Sequence, residues 1–352
     1  MSLTLGVIGV SHPHAGGHLQ ALEGAPEITR LLVWDEDPAA AARVAANSAK
    51  AEAVGSPDEL LSDPNVPALV IMLRDSEAGA WNLRAIEAGK WVYGDKPGAQ
   101  TAAELKRIVD AAAQHGVHFC PCYATRSQPI AREIGSVLQR GAIGDIVAFQ
   151  ATWITSDVLA RGPENWLFHR EHSAGGILTW LGCHWLDLLR FMMQSEVVEV
   201  AAMCATQTPA EIDVEDVANV CLRFANGAVG MLRAGYLLRA SGGYDNSDLH
   251  FQFEGSQGAL TWYPRGTPTG YRLRSRNADF VPSGWQRDIV IEPAPQSARA
   301  GYSADFLAEF LRAVQGEGDS PATAVDAWQV LRVIEAAYES SSQGRKVLVR
   351  AV

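Results

Sequence analysis

At 352 residues the chain is longer than one ordinary core accommodates and has room for two domains. It is 47% apolar and 20% charged with a formal net charge of −11, a globular composition that argues against nucleic acid or another polyanion as partner. No apolar stretch approaches the ~20 residues of a bilayer span, and the short glycine-punctuated start is not read as a signal peptide. The five scattered cysteines read as reduced thiols of a cytoplasmic protein.

In chain order, β-branched runs first alternate with alanine-rich helical stretches. Strands are predicted at Leu3–Val10, Ile28–Asp35, Ala68–Leu73, Lys90–Tyr93 and Val117–Cys120. Helices are predicted near His14–Glu23, Pro38–Ser48, Ser76–Ala88 and Thr101–His115. This alternation predicts a doubly wound α/β domain with a parallel sheet over residues 1–123. Asp37-Pro38 suits a helix start, and Gly89 and Gly116 stand where C-cap glycines stop helices.

The pattern then changes. A helix near Pro129–Gln139 is followed by strand-like runs at Asp145–Thr155, Val197–Gln207, Asp216–Phe224, Ala228–Tyr236, Asp248–Glu254 and Gly258–Trp262. Such runs, separated by glycine turns, predict an α+β domain over 124–352 with a large, mostly antiparallel, open-faced sheet. Two helices close the chain near Ser303–Gln315 and Thr323–Ser341, the first with Phe306, Phe310, Leu311 and Val314 on one face.

The first strand–turn–helix suits a dinucleotide fold. Gly9 occupies the tight-turn position, while Ser11 and His14 stand where two further glycines are usual. Asp35 ends the second strand, where a carboxylate accepts ribose hydroxyls and repels a 2′-phosphate, favouring NAD over NADP. His12, His14 and His18 are read as polar contacts to the cofactor phosphates or as a crowded turn. The local sequence sets no carboxylate beside them at ligand spacing, so no metal is expected.

Two further segments carry chemistry: Gly94-Asp95-Lys96-Pro97, and the run from Gly175-Gly176 through Trp180, Gly182 and His184 to Asp187. With the N-terminal turn, with Glu87-Ala88-Gly89-Lys90, Arg140-Gly141-Ala142-Ile143-Gly144-Asp145 and Glu254-Gly255-Ser256-Gln257-Gly258, the chain resembles the Gfo/Idh/MocA family of NAD(P)-dependent sugar and polyol oxidoreductases nearly end to end. The resemblance implies an N-terminal Rossmann domain and a C-terminal domain for substrate and for oligomerisation. It implies hydride transfer between NAD(H) and a sugar, inositol or related polyhydroxy or keto compound, with Lys96 and His184 catalytic. Cofactor contacts follow at Gly9, Ser11, His12, His14, Asp35, Leu73, Arg74, Asp95, Lys96, Pro97 and Trp166.

A substrate pocket is expected from Tyr123, Arg126, Trp153, His169, Arg170, Trp180 and Tyr236, whose aromatic faces and donors suit a sugar ring. The chain departs from the family pattern at Trp180, where an aspartate usually assists the histidine. It departs also at Leu167 after Trp166, at Asp75 for the asparagine of the family's Thr-Pro-Asn turn, and at Ser11. With Trp180 the acid/base work falls to His184 and Lys96. A homodimer or homotetramer through the C-terminal sheet is expected. The alternatives are an NAD-binding sensor or scaffold without activity, and a lyase or hydrolase acting by transient oxidation.

Overall fold

The computed structural model describes residues 2–10, 12–239, 247–264, 269–291 and 302–349. Its first sheet contains β1 (Leu3–Ile8), β2 (Ile28–Trp34), β3 (Ala51–Ala53), β4 (Ala68–Ile71), β5 (Trp91–Gly94) and β6 (Phe119–Pro121). All pairings are parallel and the order is β3-β2-β1-β4-β5-β6. The order therefore reverses between β1 and β4, the switch point beyond whose carboxyl ends doubly wound sheets leave a crevice. The strands connect through α1 (Ala15–Gly24), α2 (Pro38–Ala46), α3 (Pro57–Ser62), α4 (Asp75–Glu87) and α5 (Ala102–His115).

Local chemistry accounts for these boundaries. The Asp37 side chain accepts the Ala39 N–H at 3.0 Å and Pro38 opens α2. Thr101 and Glu104 form a capping box on α5, and Gly116 ends that helix at φ 66°. Elements β3 and α3 were not anticipated. β3 is a three-residue edge strand with little apolar signal, but Ser56 and Glu59 do form a capping box on α3.

The second sheet follows α6 (Pro129–Gln139). Its strands are β7 (Ile146–Ser156) and, after α7 (Val158–Arg161) and α8 (Cys183–Met193), β8 (Val197–Ala205), β9 (Val217–Phe224), β10 (Val229–Leu238), β11 (Asp248–Gly255), β12 (Gly258–Trp262), β13 (Gly270–Ser275) and β14 (Gln286–Val290). Helices α9 (Tyr302–Val314) and α10 (Ala324–Gln343) precede the last strand, β15 (Val347–Leu348). The strand order is β14-β13-β12-β11-β7-β10-β9-β8-β15, antiparallel throughout except where β7 meets β10. Period-two burial along β9 marks one covered and one open face. On the covered face Trp185 of α8 donates its Nε1–H to the Thr152 carbonyl at 2.8 Å and packs on Phe251.

β13 and β14 were also unanticipated. Their outward residues form a polar ladder, with Arg272 paired to Asp288 at 2.7 Å, so little apolar alternation marks them.

The chain condenses into two compact units, Met1–Ser127 with Pro295–Trp328, and Gln128–Ala294 with Gln329–Val352. A single break after residue 123 omits the return of α9 to the first unit. Burial explains that return: Phe306 and Phe310 are fully buried, with ring centroids 6.1 and 5.4 Å from Tyr93 of β5. Phe310→Ala is expected to cost the first unit about 3–5 kcal/mol through lost burial and a residual cavity, read as a lower denaturant midpoint.

Candidate active-site elements

The β1–α1 turn requires Gly9. Its φ is 81°, and a Cβ there would stand 2.7 Å from the Met72 carbonyl oxygen. Asp35 braces the same turn: Oδ2 accepts the Val10 N–H at 2.7 Å and Oδ1 the Asp37 N–H at 2.9 Å. Asp37, not Asp35, caps α2. Its carboxylate lies in the wall of an open hollow of about 830 Å³ shared with Glu36, Asp37 and Arg43. A glycine that clears space for a close backbone approach and a carboxylate at the end of β2 fit a dinucleotide. Arg74 directly precedes α4 as its N-cap residue, and Ser11 lies outside the described residues.

Beyond β5 the chain buries an unusual set of polar groups. Asp95 Oδ2 lies 3.3 Å from His12 Nδ1, 2.9 Å from His14 Nδ1 and 3.1 Å from His18 Nε2. Residues 12 to 18 come from the β1–α1 turn and the start of α1, and the parallel order brings them to the end of β5. The carboxylate not seen at local spacing is thus supplied from more than 75 residues away. Burial pushes the His12 imidazole down to about 3 against the opposing influence of Asp95. Burial alone would raise the Asp95 carboxyl, yet the neighbouring imidazoles, His14 foremost, hold it well below the usual carboxylate range. Its other oxygen accepts the Lys96 N–H at 2.8 Å. Lys96 is 1% exposed and is followed by a cis bond to Pro97.

In the second unit the Gly175-Gly176 turn is organised by Glu215. Its Oε2 accepts the Gly176 N–H and its Oε1 the Leu178 N–H, both at 2.9 Å, and Tyr338 donates to Oε1 at 3.0 Å. A Cβ on Gly176 would run into the Glu215 carbonyl oxygen, which explains the glycine. Burial raises the Glu215 carboxyl, against the lowering effect of these donors. Neither Glu215 nor Tyr338 was anticipated; each stands alone in sequence without a motif to mark it.

The segment that carries Trp180 and His184 begins as a π-helical turn, Leu178–Gly182, and becomes α-helical at Cys183. The wider turn changes the angular relation of Trp180 to His184 from the four-residue spacing of an α-helix. Trp180 is 2% exposed and meets Trp166 edge-on at 6.1 Å. His184 is half-buried, its ring 5.8 Å from that of Trp153 on β7. Asp187 is buried with Oδ1 4.0 Å from Arg190 Nη1.

Other expected pocket residues have structural partners. Arg126 pairs with Asp326 at 2.9 Å within the first unit, where Tyr123 is also fully buried. His169 Nε2 lies 3.0 Å from the Pro163 carbonyl, and the Arg170 N–H binds Asp213 at 2.6 Å. Tyr236 is buried against Phe168, beneath the Arg161 guanidinium.

Two family descriptions match in succession: "Oxidoreductase family, NAD-binding Rossmann fold" over residues 3–123, and "GFO/IDH/MocA C-terminal domain" over residues 131–261. The chain belongs to the Gfo/Idh/MocA oxidoreductase family. It is an NAD-binding member. It is 26% identical over 299 residues to 1,5-anhydro-D-fructose reductase of Ensifer adhaerens, covering 81% of this chain and 82% of the relative. It is 23% identical over 350 residues to levoglucosan dehydrogenase of Pseudarthrobacter phenanthrenivorans, covering 89% and 88%. The solved structure of a levoglucosan dehydrogenase with NADH and levoglucosan shares the fold, with a TM-score of 0.87, 22% identity and 100% coverage of both chains.

Within this family member, Glu215→Gln would present an amide N–H where the carboxylate now accepts two backbone N–H groups. A cost of about 2 kcal/mol or more to the second unit is expected. Chemical denaturation with near-UV dichroism checks it; an unchanged midpoint would remove Glu215 as the organiser of the turn before His184.

Proposed function

We propose that the chain oxidises a carbinol of a cyclic, carbohydrate-like polyol, or reduces the corresponding ketone, with Lys96 and His184 as catalytic residues. The observation that carries this reading is Lys96, a lysine 1% exposed at the carboxyl end of a strand in an NAD-binding sheet. NAD, when bound, supplies the hydride acceptor. In the oxidative direction the carbinol C–H leaves as hydride and its O–H proton passes to the His184 imidazole. The Lys96 ammonium stabilises the developing alkoxide. Trp153 offers an apolar face to the C–H surface of a ring, and both relatives described above bear names of enzymes acting on carbohydrate. Lys96 belongs to the first unit and His184 to the second.

We assign the ribose end of NAD to Asp35, whose anionic carboxylate disfavours a 2′-phosphate. The open face of the second sheet presents Ala201, Met203, Cys221 and Met231 among polar neighbours, which supports a homodimer or homotetramer through that face. The cytoplasm is the compartment in this reading. Among the described residues no helix is long and apolar enough to cross a membrane.

The deciding experiment follows NADH fluorescence over a panel of sugars, inositols and anhydro sugars for the parent, Lys96→Ala and His184→Ala proteins. Both variants are expected to bind NADH and lose about 10²–10⁴-fold in kcat. Parent protein that binds NADH but turns over no panel member would favour a sensor, and oxidised cofactor recovered unchanged after net cleavage would favour the transient-oxidation alternative. Asp35→Ser is expected to shift the NADPH-to-NADH affinity ratio upward by about tenfold or more; an unchanged ratio would remove its assignment. A monomer by light scattering would remove the assembly.

A further inference from the structure

We propose that His12, His14 and Asp95 form a binding site for one divalent first-row transition metal ion of the zinc class, beside the turn that carries Lys96. Three imidazole nitrogens converge on a single carboxylate oxygen, at 3.3, 2.9 and 3.1 Å. The ligand atoms of His12, His14 and Asp95 all lie within 4.8 Å of one another. Tetrahedral zinc with bonds of about 2.0–2.1 Å holds its donors roughly 3.4 Å apart, so the ring-to-carboxylate distances need to open only by tenths of an ångström.

His12 Nδ1 accepts the backbone N–H of His14 at 3.2 Å, and coordination would take the single lone pair that this long hydrogen bond now uses. The second Asp95 oxygen is held by the Lys96 N–H at 2.8 Å, the outer-shell orientation that metal-bound carboxylates use. His12, His18 and Asp95 have side chains 0%, 7% and 6% exposed, while His14 at 29% provides the entry side.

With three protein donors the ion keeps a fourth tetrahedral position for water. It ties the turn after β1 to the end of β5 and fixes the backbone from which Lys96 projects. Imidazole donors with one carboxylate select zinc, cobalt or nickel over magnesium and calcium.

The test uses full-length protein stripped with a chelator and titrated with Co²⁺, then displaced with Zn²⁺. One equivalent of Co²⁺ should bind with the intense visible absorption of a tetrahedral N/O site, and Zn²⁺ should abolish that band and raise the melting temperature. His14→Ala, whose side chain is the most exposed of the three, and Asp95→Asn should each weaken Co²⁺ binding at least tenfold. Circular dichroism confirms that each variant is folded, and should one fail to fold, metal analysis of the parent still decides. No bound equivalent, a weak octahedral spectrum, or parent-like binding by His14→Ala would overturn the proposal. NADH titration of the stripped protein separates it from the proposed function: loss of NADH affinity in His14→Ala with no metal bound to the parent would leave these histidines as phosphate contacts and also overturn it.

Discussion

The anionic Asp95 oxygen is the constraint around which the cofactor end is built. A carboxylate this deeply buried is tolerated only where donors or cations surround it, and here the groups around Oδ2 come from the β1–α1 turn and the first turn of α1. Both are brought to Asp95 by sheet order. β1 lies beside β4 and β4 beside β5, all running the same way, so their carboxyl ends share one edge. The Asp95 N–H closes on the Ile71 carbonyl at the end of β4, which places the side chain at that edge. Lys96 inherits its position from this arrangement through a single peptide bond.

The second unit reaches a comparable result by different means. Its buried carboxylate, Glu215, is surrounded by backbone N–H groups and a tyrosine hydroxyl rather than by imidazoles. It too supports a candidate catalytic side chain: the loop it holds runs directly into the π-helical turn and then into His184. In each unit a buried carboxylate thus organises backbone that leads to the residue assigned to chemistry.

Much of the fold could be read in the sequence because its strands are β-branched runs and its helices carry caps that act locally. β1, β2, β4 and α5 illustrate this, with periodicity and capping agreeing on nearly the same residues. β3 and β13 were missed where the strand is short or its outward residues are charged, so that the pattern carries little contrast. The pairing of Phe306 and Phe310 with Tyr93 depends on contacts across more than 200 residues. The site divides the same way. Lys96 and His184 stand out through motif resemblance, whereas the meeting of Asp95 with three histidines and of Glu215 with Gly176 depends on topology. The π-helical turn was hidden because an apolar run containing one tryptophan has no composition that separates it from an ordinary helix.

That π-helical turn bears on how the family can vary. A π turn accommodates one residue more than an α turn of similar height, so it is the form an insertion takes when the helix on either side is kept. Deleting one residue between Leu178 and Gly182 would return the segment to regular α-helical winding. Everything before it would then rotate by about 100° relative to His184. Trp180 would leave its present place against Trp166 while the histidine stayed on α8. A lineage could thus exchange the side chain presented on the turn before His184 by a single-codon insertion or deletion, without substituting any residue of the helix that carries that histidine.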